Sequence, residues 1–311
     1  MKDVLAIVNP AARAGRARRQ WPRVRERLRA AGLDFDEALT TRAEEATLIA
    51  RKEVRRNRPV IAAVGGDGTL HEVVNGFFEQ GEALPTESAL ALIPLGTGGD
   101  TRRTFGIPLD PEGAARVIRA GIPHAIDAGR VTFGAQRQTR HFIDIGETGI
   151  GGDVSDRVNR MPKLFGGRVS FLTGTMIGLA GWKHRPMHVL VDGREERDLV
   201  AQAVTVANCQ YYGGGMRAAP RAVPDDGLFD VIITAAVPTR LSLRGLRKIY
   251  AGTHLEDPKL QPYFEYFLAK RVEVTSEARV LTALDGEVVN GLPVVYEVQP
   301  RALQLMVPRK R

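Results

Sequence analysis

The run Val60-Ile61-Ala62-Ala63-Val64 stops at Gly65-Gly66-Asp67-Gly68-Thr69 and gives way at once to Leu70, Val73, Val74, Phe77 and Phe78 at helical spacing. Five apolar residues in a row are strand-length, and apolar residues every three to four positions line one helix face. A strand that passes into a helix through glycines is the repeating unit of a parallel α/β sheet. The pattern recurs: Val4-Leu5-Ala6-Ile7-Val8 precedes Trp21, Val24, Leu28 and Ala31, and Ala89-Leu90-Ala91-Leu92-Ile93 runs into Pro94 and a second glycine loop. Asp110-Pro111 reads as an N-cap followed by proline at the first helical position. These units predict a three-layer parallel-sheet domain over residues 1–127, completed by 300–311.

Beyond Gly129 the pattern changes. Strand-like runs at 141–145, 187–191, 203–207, 229–233, 271–275 and 294–298 are separated by Asp192-Gly193, Asp226-Gly227 and Asp285-Gly286. Asp-Gly between apolar runs signals a tight hairpin. Residues 128–299 are therefore expected to form a mainly antiparallel, β-sandwich-like second domain, and 311 residues suit two domains.

The glycine loops carry the chemistry. Glycine lets the backbone turn sharply and approach a ligand, and amides at the following helix N-terminus face an anion. Asp67 inside such a loop would repel a bare phosphate, but it suits a phosphate accompanied by Mg²⁺. Pro94-Leu95-Gly96-Thr97-Gly98-Gly99-Asp100 ends the next strand, and parallel strands bring both loops to one edge of the sheet. The first loop, Asn9-Pro10-Ala11-Ala12-Arg13-Ala14-Gly15-Arg16, joins them; it is no Walker loop, because no Gly-Lys-Ser/Thr follows, and no Gly-x-Gly-x-x-Gly follows the first strand.

Asn9-Pro10, the Gly-Gly-Asp-Gly-Thr loop and the Pro-Leu-Gly-Thr-Gly-x-Asp loop together resemble the diacylglycerol-kinase catalytic domain, in its bacterial soluble lipid kinase branch. Tyr211-Tyr212-Gly213-Gly214-Gly215-Met216, Ala219-Pro220, Asp225-Asp226-Gly227-Leu228 and Asp285-Gly286-Glu287 follow the same family pattern in order. The resemblance spans nearly the whole chain. It implies an ATP-dependent lipid kinase acting on a hydroxyl of diacylglycerol, a sphingoid base or a similar lipid. By analogy ATP is contacted by Asn9, Thr40, Gly65, Gly66, Asp67, Gly68, Thr69, Leu70, His71, Glu72, Gly96 and Thr97. Asp67 works with the Mg-nucleotide, Asp127 lies nearby and Glu287 is the general base. A structural Mg²⁺ is held by Asp226 and the carbonyls of Val223 and Leu228. Related members usually carry Asn where this chain has Gly99, and Asn where it has Asp144.

Charge and composition bound the partners. With 44 Lys and Arg against 36 Asp and Glu the chain carries +8, which invites an anionic partner. Nucleic acid is not expected, because no aromatic platform is interleaved with the basic residues. Arg13, Arg16, Arg18, Arg19, Arg23, Arg25, Arg27 and Arg29 crowd one segment and read mostly as a solvated helix face, with transient contact to an anionic membrane surface as its functional reading. Phe171, Leu172, Met176, Leu179 and Trp182 read as a packed helix, with a lipid pocket as the alternative. The uncharged stretch from Val169 to Trp182 is too short to span a bilayer, and the opening Met1-Lys2-Asp3 with five apolar residues lacks the length of a signal peptide. The single Cys209 excludes a disulfide framework and fits a cytoplasmic setting, peripheral at the inner membrane surface. The six histidines show no metal-ligand spacing. An NAD kinase-like enzyme, which shares the first loop, and a non-catalytic nucleotide or lipid sensor are the alternative functions.

Overall fold

Strand β1 (Val4–Val8) is buried at every position and is followed by α1 (Arg16–Ala30), β2 (Asp36–Leu39), α2 (Glu45–Val54), β3 (Val60–Gly65) and α3 (Asp67–Asn75). A two-strand ribbon, β4 (Phe78–Glu79) and β5 (Glu82–Ala83), leads to β6 (Ala89–Pro94), α4 (Asp100–Phe105) and α5 (Pro111–Ala120). The computed structural model describes residues 2–12, 15–95, 99–160, 174–175, 178 and 182–309. The chain divides into two units, Met1–Ile126 with Arg301–Arg311, and Asp127–Pro300.

In the first unit β2, β1, β3 and β6 pair in that order, all parallel. Trp21 and Leu28 of α1 and Ala114, Ala115, Val117 and Ile118 of α5 are buried with Ala6, Val8, Ala62, Val64 and Ala91 in one core. The alternate strand residues Leu5, Ile7, Ile61 and Leu90 are also buried. Helices α2 and α3 pack on each other and on β1 and β3. The chain leaves β1 toward β2 on one side and returns to β3 on the other, so the carboxyl ends of β1 and β3 form a switch point, the usual ligand crevice of such sheets. Asp110 caps α5 as expected, accepting from the Gly113 amide at 2.7 Å, with Pro111 in the first turn.

The second unit contains β7 (Ile122–Phe133, which begins in the first unit), β8 (Gln138–Phe142), β9 (Ile145–Gly149), α6 (Ile150–Arg160), β10 (Arg185–Val191), β11 (Glu195–Ala207) and β12 (Phe229–Ala235). Helix α7 (Thr239–Ala251), β13 (Phe264–Ala269), β14 (Arg271–Thr275), β15 (Thr282–Leu284), β16 (Glu287–Val289) and β17 (Val294–Val307) complete it. Strand β17 ends in the first unit, where Gln304 and Leu305 pair with β6 in parallel. The pairs β7–β8, β9–β11, β10–β11, β10–β14, β11–β12, β12–β13, β14–β17, β9–β15 and β15–β16 are antiparallel. Strand β11 pairs with β10 along its first half and with β9 along its second, while β12 takes the other edge. Val131, Phe142, Val189, Val204, Val206, Phe229, Val231, Val272 and Tyr296 are buried together.

The hairpins follow their turn residues. Asp192 and Gly193 sit at φ 49° and 69°, and Asp285 and Gly286 at φ 51° and 88°. Two successive left-handed residues make the type I′ turn whose twist matches the flanking strands.

One expected strand is corrected. Residues 141–145 do not form a single strand: β8 ends at Phe142, β9 begins at Ile145, and the break has a distant cause described below.

Candidate active site

Three loops meet at the carboxyl edge of the parallel sheet. The Asn9 amide donates to the Val64 carbonyl at 3.4 Å, and the Leu95 amide donates to the Gly65 carbonyl at 3.0 Å. Asn9 accepts from the Ala11 amide at 3.0 Å, an Asx turn that redirects the chain out of β1. Gly66 precedes α3 in an extended conformation, and a Cβ placed there would meet open space. At Gly65 a Cβ would collide with the Thr69 hydroxyl, so that glycine is required by packing. The Asp67 carboxylate, in the first turn of α3, accepts from the amides of Gly99 at 3.2 Å and Asp100 at 3.3 Å. It thereby ties the second glycine loop to the first, and it sits at the positive end of the helix dipole. Gly65, Gly66, Asp67, Leu70, Pro94 and Gly99 line a cleft over Ala63 and Leu92.

Gly99 lies at φ 86°. Glycine takes this left-handed region freely and asparagine better than other residues, so glycine where the family resemblance leads one to expect asparagine keeps the turn without an amide side chain. Thr40, Thr69 and His71 are buried, and His71 Nε2 lies 3.3 Å from Asn75 Nδ2. The Thr41 hydroxyl donates to Glu45 at 2.9 Å. Glu72 is half-buried and accepts from the Ala46 amide at 3.3 Å, joining α3 to α2. Gly96 and Thr97 lie outside the described residues.

The motif residues of the second unit form a hydrogen-bonded chain of their own. Glu287 is exposed at the start of β16, paired across the type I′ turn with Leu284. The Asp285 carboxylate accepts from three successive amides, Ile143 at 3.1 Å, Asp144 at 2.9 Å and Ile145 at 3.2 Å. In return its own amide donates to the Ile145 carbonyl at 3.0 Å. This capture takes residues 143–144 out of the ladder and separates β8 from β9. The Asp144 carbonyl then accepts from the amides of Asn208 and Cys209, both at 2.9 Å. Asn208, fully buried, donates from Nδ2 to the carbonyls of Ile143 at 2.9 Å and Asp127 at 3.0 Å. The buried Asp127 carboxylate accepts from the Gly227 amide at 2.7 Å, and the Asp127 amide donates to the Pro224 carbonyl at 2.8 Å. Next to Gly227, the exposed Asp226 accepts from the Leu228 amide at 3.0 Å in an Asx turn.

Two of these residues, Asp285 and Asn208, have a structural weight that the sequence reading did not assign. Glu147 is a third. It is buried on β9, accepts from the Gly151 amide at 2.7 Å and from Thr205 at 3.3 Å, and is hydrogen-bonded by Tyr212. Burial pushes its carboxyl above the usual range, and these donors oppose the shift. Tyr212 and Met216 pair across Gly213, Gly214 and Gly215, all three at positive φ, which gives the glycine triplet its use. His188 meets Asp198 at 2.9 Å and Glu196 at 3.6 Å across β10 and β11, a grouping invisible in sequence spacing. The arginine segment is also less free than expected. Arg25 pairs with Glu37 at 2.9 Å and Arg27 with Glu112 at 2.6 Å, while Arg13 lies outside the described residues. Phe171, Leu172, Met176 and Leu179 lie outside them too, and Trp182 packs on Ile150 and Val154. No helix among the described residues is long and apolar enough to cross a membrane.

Known proteins resemble this chain in sequence and in fold. Residues 3–131 match the family model of the diacylglycerol kinase catalytic domain, and residues 145–307 match the YegS C-terminal NAD kinase beta sandwich-like domain. A diacylglycerol kinase of Mycobacterium tuberculosis is 28% identical over 307 residues, covering 98% of this chain and 95% of the relative. A YegS-like lipid kinase of Chromohalobacter salexigens is 30% identical over 302 residues, covering 93% and 90%. The crystal structure of a diacylglycerol kinase from Bacillus anthracis has the same fold, with a TM-score of 0.72 at 22% identity, covering 98% of this chain and 97% of the other. Through both matched regions, the chain belongs to the diacylglycerol kinase catalytic-domain family, in its branch of bacterial lipid kinases.

Proposed function

We propose that the chain transfers the γ-phosphoryl group of ATP to the hydroxyl of a lipid such as diacylglycerol or a sphingoid base. The carrying observation is the glycine-lined cleft at the carboxyl ends of β3 and β6, with Asp67 at its helix N-terminus. The names of the relatives support a lipid as acceptor. Asn9, Thr40, Gly96, Thr97 and the segment from Gly65 to Glu72 bind the nucleotide. The open space at Gly66 and the amides of the first turn of α3 suit a phosphate. Asp67 orients the second loop through the amides of Gly99 and Asp100, and its carboxylate would hold the hydrated cation that accompanies the nucleotide.

Phosphoryl transfer demands positioning and charge neutralisation more than covalent help from the protein. Glu287 accepts the hydroxyl proton as the new O–P bond forms and the bond to ADP breaks. A positioned base of this kind contributes about 10²–10⁴-fold in rate. Asp127 acts through the 224–228 loop that it holds. That loop offers oxygen ligands alone, the Asp226 carboxylate with the Val223 and Leu228 carbonyls, a donor set suited to Mg²⁺. When bound there, Mg²⁺ supplies positive charge that holds the loop together. Anionic membrane surface is the place of encounter with the lipid.

The test is ATP turnover by the purified chain with diacylglycerol, a sphingoid base, NAD or no acceptor. Lipid-dependent ADP release is expected. NAD-dependent release would replace this reading with an NAD kinase-like one, and nucleotide binding without turnover would leave a sensor.

A further inference from the structure

Arg102, in α4, lies over a glycine of the cleft and lacks a counter-charge. The face of Gly99 that would carry a side chain is covered by the Arg102 stem: a Cβ placed there would meet Cγ at 3.0 Å, Cδ at 3.1 Å and Nε at 3.3 Å. Gly99 lines the cleft beside Asp67, and its amide donates to the Asp67 carboxylate at 3.2 Å. Arg102 therefore stands at the rim of the site, in a pose that glycine at 99 allows. Its neighbour Arg103 is neutralised, donating to Asp100 at 2.7 Å. Arg102 is half-buried and has no ion pair of this kind among the described residues. Its Nη1 donates to the Ile107 carbonyl at 3.4 Å, longer than an ordinary hydrogen bond, and its buried Nε has no hydrogen-bond partner among the described residues. Burial, and then the like charge of Arg103, disfavour the charged form of Arg102, while Asp100 and Asp67 favour it through space.

A half-buried cation held by one long bond to a carbonyl is short of an anion. The two carboxylates that attract it are engaged elsewhere, Asp67 by the amides of Gly99 and Asp100, and Asp100 by Arg103. With Nη1 turned to Ile107, the edge formed by Nε and Nη2 is left over, and two parallel N–H groups on one edge match two oxygens of a phosphate. Nε is covered in this pose, so the side chain has to turn to use that edge. We infer that Arg102 is a ligand of the donor nucleotide, its guanidinium turning from the Ile107 carbonyl to clamp phosphate oxygens at the Gly99 rim. The inference rests on the reading of the glycine cleft as the nucleotide's phosphate site, and it adds the cation that this reading lacks. The described lining carries Asp67 and no basic side chain. A nucleoside triphosphate brings several negative charges toward that carboxylate, and Arg102 sets a positive charge beside them.

Calorimetric binding of Mg-ATP and of adenosine to the purified chain tests it. The wild type is expected to hold Mg-ATP more tightly than adenosine. Arg102→Ala should weaken Mg-ATP by at least about ten-fold, the worth of one hydrogen bond to a charged group, and adenosine by less than about two-fold. Arg102→Lys keeps the charge but loses the fork, and should fall between the two. Arg102→Gln keeps the stem over Gly99 and serves if Arg102→Ala unfolds, which a thermal melt reports. In turnover, the loss should appear in the KM for ATP, with the KM for a soluble diacylglycerol unchanged. A variant that melts early yet binds Mg-ATP like the wild type would leave Arg102 a brace of α4 through Ile107 and overturn the inference, as would equal losses of Mg-ATP and adenosine. A wild type that binds adenosine as tightly as Mg-ATP would overturn the phosphate reading of the cleft itself, and this inference with it.

Discussion

Asp285→Ala should cost both stability and turnover, while Glu287→Gln, two residues away, should cost turnover alone. The Asp285 carboxylate is the acceptor for three successive amides at 2.9–3.2 Å. Those amides belong to Ile143, Asp144 and Ile145, all buried, so water cannot replace the lost acceptor. A hydrogen bond to a charged acceptor is worth about 1.5–3 kcal/mol. Because three amides share one half-buried carboxylate, about 1 kcal/mol each is the appropriate lower figure, or about 3 kcal/mol together. For a unit of this size, that lowers the melting temperature by roughly 6–12 °C. The hairpin carrying Glu287 loses its side-chain tether, and a base misplaced by about 1 Å costs on the order of 10²-fold in rate. Asp285→Asn keeps one carbonyl oxygen and should fall between the two. Thermal melts alongside ATP turnover on a soluble diacylglycerol measure both effects. An Asp285→Ala protein that melts with the wild type, or melts early yet turns over normally, would refute the idea that this carboxylate positions the base.

Asp67→Asn should abolish turnover with at most a small loss of stability, since asparagine keeps an acceptor for the Gly99 and Asp100 amides, which lie at 3.2 and 3.3 Å; near-normal turnover would remove it from the nucleotide site. Asp226→Ala should lose a Mg²⁺-dependent rise in melting temperature, and an identical rise in variant and wild type would reject it as a ligand. His254, buried against Phe264, is pushed down to about 4 from its ordinary 6.5 because burial disfavours its charged form. The unfolded chain therefore takes up a proton that the folded one refuses, and about 3 kcal/mol of stability is lost as pH falls from about 6.5 to about 4. Asp230 opposes this trend. Burial raises its carboxyl to about 6, so folding gains from its protonation as pH falls through that value. Urea unfolding at pH 7 and pH 4.5 should show a steeper acid loss in Asp230→Asn than in wild type and a shallower one in His254→Leu, and unchanged pH dependence in both would refute the assignment.

What the sequence disclosed, and what it hid, follows from the range of the interactions involved. The strands of the parallel sheet are legible because five consecutive apolar residues closed by a loop-forming residue have few other uses: Val4–Val8 runs into Asn9-Pro10 and the run 89–93 into Pro94, and both are strands for that reason. The hairpins at Asp192-Gly193 and Asp285-Gly286 are legible because two residues at positive φ require such a pair. Local rules fail where a distant side chain intervenes. Residues 141–145 look like a strand by every local measure, and a carboxylate about 140 positions later breaks it. Arg16, Arg18, Arg19, Arg23 and Arg29 are exposed as a solvated face should be, but the ion pairs of Arg25 and Arg27 escape local reading because Glu37 and Glu112 lie in other elements. The same limit applies to the site. In Asp285-Gly286-Glu287 the obvious division gives the turn to Asp-Gly and the chemistry to Glu, yet Asp285 also anchors the hairpin to the 143–145 segment. From there Asn208 reaches Asp127, and Asp127 reaches Gly227 beside Asp226. Four motifs that stand far apart in sequence thus share one hydrogen-bonded path in the second unit. A residue's type and spacing reveal which chemistry it can perform, but only its partners reveal whether it performs that chemistry or holds the residue that does.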